Sequence, residues 1–147
     1  MGGDCWSCGA CKPRYKSLVD GIFPANAADG LVKGNMDKLT YYAMRSPEKL
    51  DRIGAYLDVR FQKDIYRQRR GFVIITMEAL DHLLSACRAD SVSLNLFVES
   101  FLKMVQRLLE SGDPEWQILA SQSFQVSEGR VCCLSAYILG AEERVDR

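Results

Sequence analysis

Three cysteines near the start of the chain have the spacing that chemistry could use. Cys5, Cys8 and Cys11 form C-x-x-C-x-x-C in a glycine-rich stretch, followed at once by Lys12-Pro13-Arg14-Tyr15-Lys16. One chemistry is metal binding. Thiolates at this spacing can wrap a cluster, but the fourth position of the bacterial ferredoxin run falls on Tyr15. A structural zinc site needs a fourth ligand, and the spares are Cys87, His82, Cys132 and Cys133. The second chemistry is S-acylation, which exposed cysteines beside lysine and arginine invite. One buried chain holds only reversibly at about 0.8 kcal/mol per methylene, whereas two signals anchor stably. Three thiols with Lys12, Arg14 and Lys16 supply both kinds of signal. The third reading is unmodified terminal cysteines. N-myristoylation at Gly2 fails its pattern, because Trp6 stands where serine or threonine is required.

Other chemistry is sparse. The single histidine, His82, lies in a helical pattern and reads as a surface or boundary residue. No G-x-S-x-G elbow and no glycine-rich phosphate loop occurs, so nothing points to an enzyme and no cofactor is expected. Arg60, Lys63, Arg67, Arg69 and Arg70 form the strongest basic run, with Asp64 the one acid inside it. Such a run is either a solvated helix face or a contact for anionic lipid, worth about 1 kcal/mol per basic residue at a membrane surface. Lysine plus arginine and aspartate plus glutamate both total 19, and no aromatic reading platform accompanies the charges, so nucleic acid is not an expected partner. Apolar runs such as Phe72 to Ile75 are far shorter than the roughly 20 residues that cross a bilayer. The start lacks an export signal, so the thiols are expected to be reduced and the compartment cytosolic.

The elements that must position these groups are helical. The chain is 48% hydrophobic and 26% charged over 147 residues, an ordinary globular composition. Residues 1–34 hold more than half of the glycines, half of the cysteines and two of the four prolines, and read as a disordered arm. Asn35 is the expected N-cap of a short helix carrying Met36, Leu39, Tyr42 and Ala43 on one side. Ser46-Pro47 is the expected start of the next, striped by Leu50, Ile53, Leu57, Phe61 and Ile65. Phe72 to Cys87 is apolar on more than one face, which predicts an inner helix. Leu94, Phe97, Val98, Phe101, Leu102, Val105, Leu108 and Leu109 stripe a fourth, and Asp113-Pro114 starts a fifth. Onsets near 47, 72, 94 and 114 give two pairs about 45 residues apart, the period of HEAT or armadillo repeats. The fold class is therefore all-α, the start of a helical-repeat solenoid over 35–124, with a closed bundle as the alternative. Trp116, Leu119 and Phe124 are expected to lie exposed for want of a following repeat, and residues 125–147 to be a divergent, weakly ordered tail.

At this point a resemblance attaches to particular residues. Arg14-Tyr15-Lys16, Leu18-Val19-Asp20, Ile22-Phe23-Pro24, Asp29-Gly30-Leu31-Val32-Lys33, Ser46-Pro47-Glu48-Lys49-Leu50-Asp51-Arg52-Ile53-Gly54, Met77-Glu78-Ala79-Leu80-Asp81, Phe97-Val98-Glu99-Ser100-Phe101-Leu102 and Leu108-Leu109-Glu110-Ser111-Gly112 resemble, in order, the N-terminus of the rolling-blackout family, called eighty-five-requiring protein three in yeast. The resemblance implies a long armadillo/HEAT-like rod on the cytoplasmic face of the plasma membrane, held by palmitoylated cysteines and a basic surface, with a cytosolic pool. It also implies recruitment of phosphatidylinositol 4-kinase type III alpha through a tetratricopeptide-containing adaptor, for phosphatidylinositol 4-phosphate synthesis. Cys5, Cys8 and Cys11 take the place of the family's acylated cluster, although the family often has consecutive cysteines. Lys12, Arg14 and Lys16 match the basic stretch behind it. A lipase activity has been suggested for the family, and this chain offers no nucleophile elbow for one. The resemblance stops near residue 124, and Gln125-Val126-Ser127 is compatible with a splice-donor-like codon string. Anchoring is thus expected to be retained and most partner-binding repeats to be missing.

Overall fold

The computed structural model describes residues 12–87 and 92–130, and of 92, 93 and 124–130 only the backbone. Among them are six α-helices and no strand: α1 (Arg14–Gly21), α2 (Lys33–Arg45), α3 (Leu50–Tyr66), α4 (Arg70–Ala86), α5 (Val92–Glu110) and α6 (Pro114–Arg130). Neighbours in sequence pack as three hairpins, α1 on α2, α3 on α4 and α5 on α6. The hairpins then stack, α1, α3 and α5 forming one layer and α2, α4 and α6 the other. This is the start of a helical-repeat solenoid.

The first hairpin corrects the reading of residues 12–34 as part of a disordered arm. Tyr15, Leu18, Val19 and Ile22 recur at i, i+3, i+4 and i+7, and Val19 and Ile22 are fully buried in the common core. Pro13 begins the helix, its carbonyl accepting from Lys16 N at 3.0 Å and Ser17 N at 3.2 Å. The helix is eight residues long, shorter than an isolated helix can be in water, so it depends on packing against α2 and α3. It supplies a third repeat unit, the number usually needed to bury a solenoid core.

Two expected caps also differ. The second helix begins at Lys33, and Asn35 sits inside its first turn, donating Nδ2 to the Gly21 carbonyl at 2.7 Å. Asn35 therefore satisfies the C-terminus of α1 instead of the N-terminus of α2. Ser46 makes no side-chain cap bond; a 3-10 turn at Pro47–Lys49 leads into α3. The α3 stripe is otherwise as spaced, with Leu50, Ile53, Leu57 and Phe61 buried. Gly54 lies where α3 crosses α5, and a Cβ there would stand 2.9 Å from Phe97 Cδ2 and 3.3 Å from Ser100 Cβ.

Helix α4 is the inner helix its composition predicts, packing on α2, α3 and α6 and burying Val73, Ile75, Met77, Leu80, Leu83 and Leu84. Its Thr76 is buried because the hydroxyl donates to the Phe72 carbonyl at 3.1 Å. Helix α6 runs to Arg130, past the expected change at 125. Trp116 is only 4% exposed and Ala120 is buried, so the expected bare stripe is instead turned into the core, with Leu119 packed at its edge. Ile118, 58% exposed, is the apolar residue that α6 presents outward. Phe124's side chain and residues 131–147 lie outside the described part, as do Cys5, Cys8 and Cys11.

Candidate membrane-facing surface

Lys12, the neighbour of Cys11, pairs with Asp20 of α1. Asp20 in turn accepts from the Tyr56 hydroxyl of α3, at 2.9 Å and 3.1 Å on its two oxygens, and stands 3.6 Å from Arg60 Nη1. Lys16 sits 5.4 Å from the Tyr56 ring centre, and Arg14 6.0 Å from that of Tyr42. The basic stretch behind the cysteines and the basic run of α3 are thereby joined, although more than forty residues separate them in sequence.

The junction is a concavity of about 250 Å³ lined by Asp20, Tyr56, Val59, Arg60, Lys63, Asp64, Arg67 and Arg69. The five cations of the run do not act alike within it. Arg60 stacks on Phe23 with 3.6 Å between guanidinium carbon and ring centre, lies 5.8 Å from Phe72, and approaches Asp64 Oδ2 at 3.8 Å. Burial lowers its pKa, and Asp64 works against that shift. Arg60 therefore braces α1, α3 and α4 against one another. Arg70 pairs with Asp113, at 2.8 Å, and with Glu115, and sits over the Trp116 ring at 5.6 Å, tying α4 to the start of α6. Lys63, Arg67 and Arg69 are exposed and make no ion pair among the described residues, which leaves three charges for an outside anion.

The chain turn after α3 sets their directions. Gln68 has φ +58°, Gln68 N–H bonds the Ile65 carbonyl at 3.0 Å, and Arg69 N–H bonds the Asp64 carbonyl at 2.8 Å. This is a Schellman termination with glutamine in the left-handed position, and it holds Arg67 and Arg69 on either side of the turn. Asp64 lies beneath them, 3% exposed. Burial pushes its carboxyl up from the ordinary value, against the pull of Arg60, Arg69 and Arg67.

Sequence reasoning found the cations but not Asp20, Tyr56, Phe23 and Phe72, which position them. The Tyr15-Leu18-Val19-Ile22 spacing was the available signal, because it places α1 and hence Asp20 beside α3. The other candidates are elsewhere: His82 is exposed on α4, and Cys87 is buried after it, its thiol pushed up in pKa by burial. Among the described residues no helix is long and apolar enough to cross a membrane, and no group of three or more histidine, cysteine or acidic side chains is placed to hold a metal.

A stacked-hairpin, helical-repeat protein with one cationic face is the class these features define. The family model described as EFR3, armadillo repeat, matches residues 36–126. The chain is 61% identical over 124 residues to Protein EFR3 homolog B of Danio rerio, covering 84% of this chain and 15% of that protein. It is 58% identical over 120 residues to Protein EFR3 homolog cmp44E of Drosophila melanogaster, covering 82% and 14%, and 52% identical over 124 residues to Protein EFR3 homolog of Caenorhabditis briggsae, covering 84% and 14%. The chain belongs to the EFR3 family, and spans about 15% of the length of these relatives. No solved structure matches it.

Proposed function

We propose that this chain is the membrane-anchoring part of a plasma-membrane scaffold, acting by position and not by catalysis. The observation that carries the reading is the convergence of Lys12, Lys16, Lys63, Arg67 and Arg69 on one face, beside the residue that follows Cys11. S-acylation of Cys5, Cys8 and Cys11 would supply the apolar anchor, and the cations the attraction to anionic inner-leaflet lipid, the two-signal arrangement that makes binding stable. Arg14 contributes at the edge of the face and Arg60 by bracing it, whereas Arg70, paired with Asp113 and Glu115, is spent between α4 and α6.

The family resemblance supports a further role, recruitment of phosphatidylinositol 4-kinase type III alpha through its tetratricopeptide-containing adaptor, with adaptor contacts on repeats beyond those present here. The residues present here then serve the membrane contact. Acyl-exchange labelling tests the anchor: cysteine-dependent label that disappears in a Cys5→Ser, Cys8→Ser, Cys11→Ser variant supports it, and a variant that stays at the plasma membrane contradicts it. Co-precipitation of the adaptor at the level of a full-length relative contradicts the division of labour.

A further inference from the structure

Two of the three unpaired cations, Lys63 and Arg67, share the outer face of α3 with two apolar side chains that the core does not use. Tyr66 is 88% exposed and Val59 is 50% exposed. Val59, Lys63, Tyr66 and Arg67 follow at i, i+4, i+7 and i+8, one stripe down the outer side of α3. Seven residues of helix set Val59 and Tyr66 about 10 Å apart along the axis. The stripe therefore alternates apolar and basic groups, and Arg69 adds a further charge just past the Schellman turn.

A protein partner and a membrane would both cover apolar residues, and the charge decides between them. Of the acids near the stripe, Asp58 is taken by Arg107 of α5, Asp20 by Lys12, Arg60 and the Tyr56 hydroxyl, and Asp64 is buried below it. What remains is cationic and aromatic, the combination suited to a phosphate-rich interface where a tyrosine ring is buried and its hydroxyl stays wet. The exposed pair on α2, Tyr41 and Met44, is different: the Tyr41 hydroxyl accepts from Arg45 at 2.7 Å, the same arginine lies over its ring, and Asp37 and Glu48 are close in sequence. There Asp37 and Glu48 stand against Lys38 and Arg45, so that surface is close to neutral.

We propose that the Val59–Arg67 stripe is an interfacial wedge, in which the Tyr66 ring enters the headgroup and upper acyl region of an anionic bilayer while Lys63, Arg67 and Arg69 hold lipid phosphates around it. The inference rests on the membrane reading above and adds depth and orientation: α3 lies against the bilayer, and the α2, α4 and α6 layer faces away. Tyr66 thus contributes a salt-insensitive share of the affinity, and the cations a salt-sensitive one.

The test uses the full chain with a Tyr66→Trp substitution in a Trp6→Phe background, where the remaining Trp116 is buried and serves as the baseline. Phosphatidylserine-containing vesicles with lipids brominated high on the acyl chain should quench and blue-shift the new tryptophan, while Tyr41→Trp in the same background stays unquenched. Tyr66→Ala should weaken vesicle binding roughly three- to tenfold, the range expected for losing a partly buried aromatic side chain, and leave the salt dependence unchanged. Circular dichroism checks that the variants fold. Normal vesicle binding with an unquenched tryptophan at 66, or equal quenching at 41 and 66, overturns the wedge and leaves the electrostatic reading standing. A wild-type chain that binds no anionic vesicle at low salt overturns both.

Discussion

The two ends of the helical stack are finished differently. At the first end α1 covers α2 and α3 with a short polar helix, and the surface where it meets α3 carries cations beside half-buried aromatic rings and a shared aspartate. At the other end α6 turns Trp116 and Ala120 inward and leaves Ile118 outside, beside a shallow hollow lined also by Pro114, Gln117, Ser121 and Gln122. One end is thus a polar surface with unspent charge, the other a plain helix face with unspent apolar area. The contrast teaches that the free charge, on the outer side of α3, and the stacking contacts, on the inward sides of the helices, use different faces and can be broken separately.

The largest effect should come from the stacking side. Trp116→Ala removes a buried indole from the contact of α6 with α4 and α5 and should cost about 3–5 kcal/mol, read by thermal or urea unfolding. Vesicle binding of the molecules that remain folded should not change. A loss below about 1 kcal/mol would mean that α6 contributes little to the stack.

Gly54→Ala should come next. Its new methyl would meet Phe97 across the α3–α5 crossing, and overpacking of this kind costs about 1–3 kcal/mol. Unchanged stability would contradict the close approach of the two helices.

Asp64 gives a pH-dependent contrast between charge and burial. Because its carboxyl is raised in the fold by desolvation, the unfolded chain gives up that proton more readily, and the penalty is fully present above the raised value. It fades as pH falls through that value toward the ordinary 3.8. Asp64→Asn should therefore be the more stable protein at neutral pH, with the difference shrinking on acidification. The same variant should bind anionic vesicles more tightly at neutral pH, since the face loses its buried negative charge. A difference that instead grows on acidification would contradict the assignment.

The smallest effects lie at Gln68 and Arg70. Gln68→Gly should stabilise by up to about 1 kcal/mol by relieving the left-handed turn, in a denaturation comparison with wild type. Arg70→Gln removes an exposed bridge to Asp113 and Glu115, worth about 1 kcal/mol or less, and should leave vesicle binding near wild type.

How much of this was legible in the sequence differs between the same two ends. Helices α3 to α6 follow from long apolar stripes and from the Pro47 and Pro114 onsets, and their pairing follows from the spacing of those onsets. The α1 helix was obscured because eight residues ending in Gly21, between Pro13 and Pro24, carry few apolar positions, and short helices gain their stability from partners far off in sequence. Trp116 was misjudged because a stripe gives the direction of a helix face only relative to itself; whether that face meets α4 or solvent is a tertiary fact. The basic run was legible as charge, but the difference between Arg60, bound to Phe23 and Asp20, and Lys63, left unpaired, depends on contacts between α1 and α3. Tyr66 was counted within the helix and not singled out, since nothing local says which flanking aromatic stays outside.

Binding of the full chain to phosphatidylserine-containing vesicles across a salt series, compared between wild type and a Lys63→Gln, Arg67→Gln, Arg69→Gln variant, tests the proposed membrane face most directly. At about 1 kcal/mol per basic residue the variant should lose on the order of a hundredfold in affinity at low salt and show a flatter salt dependence, with Arg70→Gln as the unaffected control. Equal affinity and equal salt slope for wild type and the triple variant would contradict the assignment of this face to the membrane.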